Sequence, residues 1–205
     1  MHHNSTIWLL LLITVLYSCT EDTQNALDSN VELRRPLTTK MVKASELHQL
    51  YESDYSIQDS LAFDFNGDQH TDYILLLKHQ QEKSFENEGT GFSKVLLIVA
   101  SYPSGKLAQI ERNHRVVFPF GYHQKDKDSY LSMHQQGRFF QVVHSWTKNK
   151  RIKRTLSFEY NQTNRSWFLH KDQTTYNSID FSENPTIVQK TTAGTAFHSF
   201  DIFQE

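Results

Sequence analysis

Cysteine, glycine and proline are all scarce in this chain of 205 residues. Cys19 is the single cysteine, so no disulfide can form within the chain, and the residues after it offer no cysteine nucleophile. Seven glycines and four prolines are too few for a disordered polypeptide rich in those residues. The formal net charge of −2 argues against a nucleic-acid binder that relies on overall positive charge. The many phenylalanines and tyrosines indicate a globular chain that favours strands.

The common catalytic and zinc-binding motifs are also missing. The sequence contains no His-Glu-x-x-His and no Gly-x-Ser-x-Gly. His144 and His170 lie in strand-like patterns, which places them on one sheet face in our prediction. A single histidine in a strand is more often structural than a metal ligand. Carboxylate pairs formed only in the folded chain cannot be read from the sequence.

The amino terminus has one short apolar run, from Ile7 to Leu16. Ten residues are too few for a membrane-spanning helix, which needs about 20. The length suits the hydrophobic core of a signal peptide, and we predict that residues 1–18 form one. Residues 1–6 contain neither lysine nor arginine, which departs from the usual signal peptide.

The sequence Leu16-Tyr17-Ser18-Cys19 follows this run directly and resembles the lipobox of bacterial lipoproteins. The resemblance implies that Cys19 becomes the first mature residue and carries fatty acid such as palmitate. Thr20 at the next position implies sorting to the outer membrane. Residues 19–37, polar and without periodicity, are predicted to form the lipidated cysteine and a flexible tether. The expected partner of this end of the chain is a lipid bilayer.

An acidic segment, residues 64–72, supplies oxygen ligands at alternate positions. Asp64, Asn66, Asp68 and Asp72 occupy relative positions 1, 3, 5 and 9, and His70 at position 7 offers its carbonyl. Carboxylates packed this closely repel one another, and a hard divalent cation would reverse that cost. Because all of these ligands are oxygens, the pattern favours calcium. The alternative is an Asp/Asn/Gly turn that needs no ion.

This segment resembles the EF-hand loop and, more closely, the shorter calcium-type turns of FG-GAP repeats, which lead into a strand. The resemblance implies a structural calcium ion. Two positions depart from the EF-hand pattern. Gln69 replaces the glycine at position 6, and Leu75 replaces the bidentate glutamate at position 12.

The remaining pattern predicts one α+β domain over residues 38–205. Met41, Ala44, Leu47, Leu50 and Tyr51 recur at helical spacing, which predicts one amino-terminal helix from about Lys40 to Asp54, packed on a sheet. The rest predicts a mainly antiparallel sheet with a carboxy-terminal meander. Strand-like segments begin near these residues: Leu61, Asp72, Lys94, Lys106, Tyr130, Arg138, Ile152 and Trp167. Residues 195–203 are also strand-like and could pair with a sheet edge.

Two further segments have candidate surface roles. An aromatic loop contains Phe118, Phe120 and Tyr122, which either line a small-ligand surface or plug the core. A basic cluster at a hairpin is either a contact for anionic headgroups or a solvated turn. Its members are Lys148, Lys150, Arg151, Lys153 and Arg154.

The leading functional interpretation is a non-catalytic, lipid-anchored protein of the bacterial cell envelope. Its domain would bind an unidentified protein or glycan, with calcium holding the acidic turn. One alternative is an envelope hydrolase with an active site on the loops at residues 79–92 and 113–127. Another is an inhibitor or immunity-type protein whose interface is an exposed sheet face.

Overall fold

Strand pairing organises nearly all of the described chain. A computed structural model describes residues 41–82, 93–190 and 194–204, which belong to one unit spanning Thr39–Glu205. Within these ranges ten strands form two five-stranded antiparallel sheets, A and B. Their bounds are β1 Met41–Lys43, β2 Tyr55–Phe63, β3 Asp72–His79, β4 Val95–Ser101, β5 Lys106–Asn113, β6 Tyr130–Gln136, β7 Phe139–Thr147, β8 Arg151–Asn161, β9 Ser166–Asn177 and β10 Thr186–Lys190.

Both sheets are built from strands that follow one another along the chain. Sheet A has the order β1-β5-β4-β3-β2, so β2 to β5 form a meander and β1 pairs with the free edge of β5. Sheet B has the order β10-β9-β8-β7-β6 and is a complete meander. The mainly antiparallel architecture and the carboxy-terminal meander are therefore confirmed. Strand β10 was not predicted, because all of its five residues lie at or near the surface and show no apolar alternation.

The main core lies between the two sheets. Alternate residues of β3 and β4, such as Ile74 and Ile98, face sheet B, and Phe140, Leu156 and others face back. The tail completes this core, because Phe197, Phe200 and Ile202 pack into it. The Asn113 side-chain amide donates to the carbonyl oxygens of Phe197 and Phe200, and so ties the tail to the end of β5. The strand predicted over residues 195–203 is instead one β-bridge at Ala196 and a short 3₁₀ segment, Phe197–Ser199.

The predicted amino-terminal α-helix is wrong, and so is the α+β class. The segment is strand β1 followed by a seven-residue 3₁₀ helix, Ala44–Leu50, which is kinked at Glu46. Met41–Lys43 pairs with Lys106–Ala108, so the edge of β5 gains a partner that a helix could not provide. The domain is a two-sheet β structure with short 3₁₀ segments.

The apolar residues of this segment still cover the outer face of sheet A. Val42, Leu47, Leu50 and Tyr51 pack on a second cluster that is centred on β3 and β4. Leu75, Leu77, Val95, Leu97 and Val99 belong to it, and none is more than 1% exposed. Strands β3 and β4 are therefore buried on both faces, as their continuous apolar runs predict.

Two buried ion pairs bring distant segments together. Arg154 on β8 binds Asp172 on β9 through two nitrogen–oxygen contacts of 3.0 and 2.8 Å, and it also donates to the Ile202 carbonyl. Directly before β4, the buried Lys94 ammonium contacts Glu82 at 3.1 Å and Asp128 at 2.7 Å. Asp128 is 24% exposed, and the other four side chains are at most 8% exposed. Removing one partner therefore leaves a buried charge without its compensation.

Several predicted features lie outside the described residues. The signal peptide, Cys19 and the tether are among them, as are residues 83–92 of the loop that follows β3. Within the described ranges, no helix has the length and apolar character needed to cross a bilayer.

Candidate functional site

The acidic segment is the connection between β2, which ends at Phe63, and β3, which begins at Asp72. Asp64 organises it. One carboxylate oxygen accepts from the backbone N–H groups of Gly67 and Asp68 at 2.7 and 3.2 Å, and the other accepts from Gln69 at 2.8 Å. Gln69 has a φ of 67°, so it takes the left-handed conformation that the calcium-loop pattern assigns to glycine. The chain thus wraps around the Asp64 side chain.

Asn66, Asp68 and His70 form a second layer of local bonds. The Asn66 side chain accepts from the backbone N–H of Asp68 at 2.9 Å and donates to the Asp68 carboxylate at 3.1 Å. The Asp68 carboxylate also accepts from the backbone N–H of His70 at 2.9 Å. The His70 ring lies 2.9 Å from the Asp68 carbonyl oxygen. All three side chains are therefore held close to the turn.

Asp72 is directed into the fold and is fully buried. Its two oxygens accept from the backbone N–H groups of Ser101 at 2.8 Å and Phe65 at 3.3 Å. Burial raises the pKa of Asp72, the two N–H donors oppose that rise, and the nearby charges of Asp68 and Asp64 add to it, so that the pKa is about 6. A cation beside these three carboxylates would lower that pKa again.

The turn therefore resembles a calcium loop in composition and in the positive φ of Gln69. It is not a preformed cage of carboxylates. Across the described residues, no three His, Cys, Asp or Glu side chains converge closely enough to hold a metal ion. A bound cation would have to take oxygens from Asp64, Asn66 and Asp68, together with the His70 carbonyl, and would compete with the hydrogen bond between Asn66 and Asp68. The calcium site stays a prediction.

The aromatic loop does not form an open surface as a whole. Phe118 is buried in the core between the sheets, and it packs on His144 with ring centroids 5.1 Å apart. Tyr122, which is 52% exposed, stacks on its outer side at 4.9 Å. The loop closes one end of the core, which is the structural alternative predicted for it.

The basic cluster is divided by the pleat of β8. Arg154 faces the core and binds Asp172. On the surface, Lys150 contacts Glu183 at 3.4 Å, and the Arg151 guanidinium lies 4.3 Å from the centroid of the Phe181 ring. The five residues therefore do not present one continuous positive patch.

His144 and His170 lie on opposite faces of sheet B, so the prediction that they share a face is wrong. His144 is fully buried beneath Phe118, and among the described residues neither ring nitrogen has a hydrogen-bond partner of good geometry. Burial and, to a smaller extent, the charge of Arg154 lower the pKa of His144 to about 3. His170 is on the outer face, beside Glu159.

A pocket of about 390 Å³ opens on that outer face, where β8 turns into β9. Its lining includes a histidine–carboxylate pair, with His170 Nδ1 3.4 Å from Glu159 Oε2. Arg138 binds the other oxygen of Glu159 at 2.7 Å. The pocket is also lined by Asn161, Asn164, Phe168, Leu169 and Gly194.

Sequence reasoning missed this site because the register between β8 and β9 brings its residues together. Glu159 pairs with Phe168, and His170, two residues after Phe168, shares their face by ordinary strand alternation. His170 is also the extra residue of a β-bulge, because Phe158 pairs with Leu169 while Ser157 pairs with Lys171. Neither strand's own residue pattern fixes that register.

Comparison with known proteins adds no family to this description. No family model, no curated protein and no solved structure matches the chain.

Proposed function

We propose that the chain is a lipid-anchored, non-catalytic protein of the bacterial cell envelope and that its β domain is a binding module. The observation that carries this proposal is the sequence Leu16-Tyr17-Ser18-Cys19, which directly follows an apolar run of signal-peptide length. Cys19 is also the single cysteine, which is consistent with a thiol used for acylation rather than for folding. Thr20 supports placement in the outer membrane.

The domain itself supports a binding role through its architecture. Two sheets packed on a continuous core give a rigid scaffold, and the outer face of sheet B is available for contact. The pocket beside Glu159 and His170 is of a size that suits a small ligand or one unit of a polymer. A module of this kind needs only a stable shape and a few directed polar groups.

Calcium at the acidic turn is a further part of the proposal, with a structural role. Two observations support it: the positive φ of Gln69, and the proximity of the Asp64 and Asp68 charges to the buried Asp72. An ion at this turn would fix the angle at which β2 and β3 leave it. The ion would act by neutralising carboxylates, without taking part in a reaction.

The anchor is tested by growing cells that express the chain with a radiolabelled or alkyne-tagged fatty acid. The protein should become labelled, and it should partition with the membrane fraction. Cys19→Ser should abolish both, while Ser18→Ala, which keeps a small residue before the cysteine, should leave both intact. Label that persists in Cys19→Ser would refute the anchor.

A further inference from the structure

We infer that the pocket formed by β8, β9 and the turn between them on the outer face of sheet B binds a neutral sugar unit. This inference deepens the proposed binding function and rests on it. The pocket is defined by Glu159, His170, Phe168, Asn161 and Asn164, with the Gly194 backbone at its edge. Its occupant would be a single ring of an envelope glycan.

The pairing of β8 with β9 sets the polar lining of the pocket. Glu159 pairs with Phe168, and His170 follows Phe168 by two residues, so all three lie on the same face. A β-bulge leaves His170 without a partner residue on β8. Phe139 on β7 packs against the His170 ring at 4.6 Å, which restricts the orientation of the ring.

The negative charge of Glu159 in the pocket lining is already compensated, which argues against a charged ligand. Glu159 is held by Arg138 on one oxygen and lies beside His170 on the other. A ligand cation would compete with Arg138 for Glu159, and a ligand anion would lie against that carboxylate. A neutral ligand with hydroxyl groups meets neither cost, because a carboxylate accepts hydrogen bonds from hydroxyls without a counter-charge.

The remaining lining matches a ring that has both apolar and polar faces. Phe168 offers a partly buried aromatic surface on which the C–H groups of a sugar can pack. Asn161 and Asn164, at the turn between β8 and β9, are held near one another, because the backbone N–H of Asn164 donates to the Asn161 side chain at 3.0 Å. Side-chain amides both donate and accept, as sugar hydroxyls do. The volume of about 390 Å³ falls at the small end of ligand sites.

The test uses the full-length protein in a detergent without a sugar headgroup, labelled with ¹³C at histidine. The probes are the methyl glycosides of glucose, galactose and N-acetylglucosamine. At least one should shift the His170 ring signals saturably and should be recovered unchanged. His134, also an exposed histidine and 2.8 Å from the Gln141 side-chain oxygen, is the internal control and should not shift. Signals are assigned by their loss in His170→Gln and His134→Gln.

Glu159→Gln and Phe168→Ala should each weaken binding about tenfold, the loss expected for one charge-assisted hydrogen bond or one packed ring. Asn164→Ala, at an exposed turn, is the variant least able to disturb folding and should weaken binding in the same direction. The inference is overturned if none of the three glycosides gives a saturable shift at His170, or if all three variants bind as the parent does. Cleavage of a glycoside would also overturn it, in favour of a hydrolase.

These results are separate from those on the anchor. If sugar binding is absent while Cys19 is acylated normally, only the inferred sugar site is refuted. Absence of acylation with intact sugar binding removes the proposed envelope anchor and leaves the site.

Discussion

The ion pair between Arg154 and Asp172 permits a sharp test of what holds sheet B and the tail together. The perturbation is Asp172→Ala. Both side chains are at most 5% exposed, and Arg154 also donates to the carbonyl oxygen of Ile202 in the tail. Removing the carboxylate leaves the guanidinium buried with that one carbonyl and the nearby face of Phe118, 6.0 Å from the ring centroid.

Breaking a buried pair from one side costs about 3–5 kcal/mol of unfolding free energy, because the remaining charge has lost its compensation. A domain of ordinary stability has about 5–15 kcal/mol in total, so the variant should be severely weakened. Replacing both partners, in Arg154→Met with Asp172→Leu, removes both charges and restores apolar packing. This double variant should be more stable than Asp172→Ala and close to the parent.

Urea unfolding followed by tryptophan fluorescence measures these differences, since Trp167 is fully buried in the core between the sheets. Lys150→Ala breaks the exposed contact with Glu183 and is the matched control, with an expected change below about 1 kcal/mol. A loss below about 1 kcal/mol in Asp172→Ala would refute the reasoning. So would a double variant that is as unstable as the single one.

Other charged groups lead to three expected outcomes. Lys94→Met should lower the unfolding free energy by about 3–5 kcal/mol, because it leaves Glu82 and Asp128 without their cation. Lys78 is exposed, so Lys78→Met should change the unfolding free energy by less than about 0.5 kcal/mol in the same urea titration. Calcium chloride should raise the melting temperature, EDTA should reverse that rise, and Asp64→Asn should abolish the response. A melting temperature that calcium leaves unchanged would refute the calcium site. In calcium-free buffer, the stability of His144→Leu should rise between pH 6 and pH 4, and the stability of Asp72→Asn should fall over the same range. Unfolding followed by circular dichroism at each pH measures both changes.

The carboxy-terminal half could be predicted because each strand alternates and each turn is short. Phe140, Val142 and His144 share the buried face of β7, as their spacing of two residues requires. The amino-terminal segment could not be predicted from spacing alone. Leu47 and Leu50 suit a helix, but the strand that precedes them exists because the distant edge of β5 needs a partner. Tertiary pairing decided between two local structures of similar propensity.

The candidate sites show the same difference between local and distant information. The acidic turn is local: Asp64 binds N–H groups three to five residues ahead, so its pattern is visible in the sequence. The pocket depends on the pairing register of β8 and β9, which sets Glu159 opposite Phe168 and so beside His170. Glu159 and His170 were each placed in a strand correctly, but neither strand's own pattern fixes the register that brings them together. Register is set by pairing across the sheet.

The two buried titrating groups explain why single variants are needed to see either pH effect. The pKa of His144 is about 3 when folded and 6.5 unfolded, so below pH 6.5 the unfolded chain binds the extra proton and stability falls with acid. The pKa of Asp72 is about 6 when folded and 3.8 unfolded, so between those values the folded chain binds the extra proton and stability rises with acid. Each slope is about 1.4 kcal/mol per pH unit, and the signs are opposite between about pH 4 and 6. The parent should therefore show nearly no net effect of these groups in that window. Replacing Asp72 should expose the destabilisation by acid that comes from His144, and replacing His144 should expose the opposite slope.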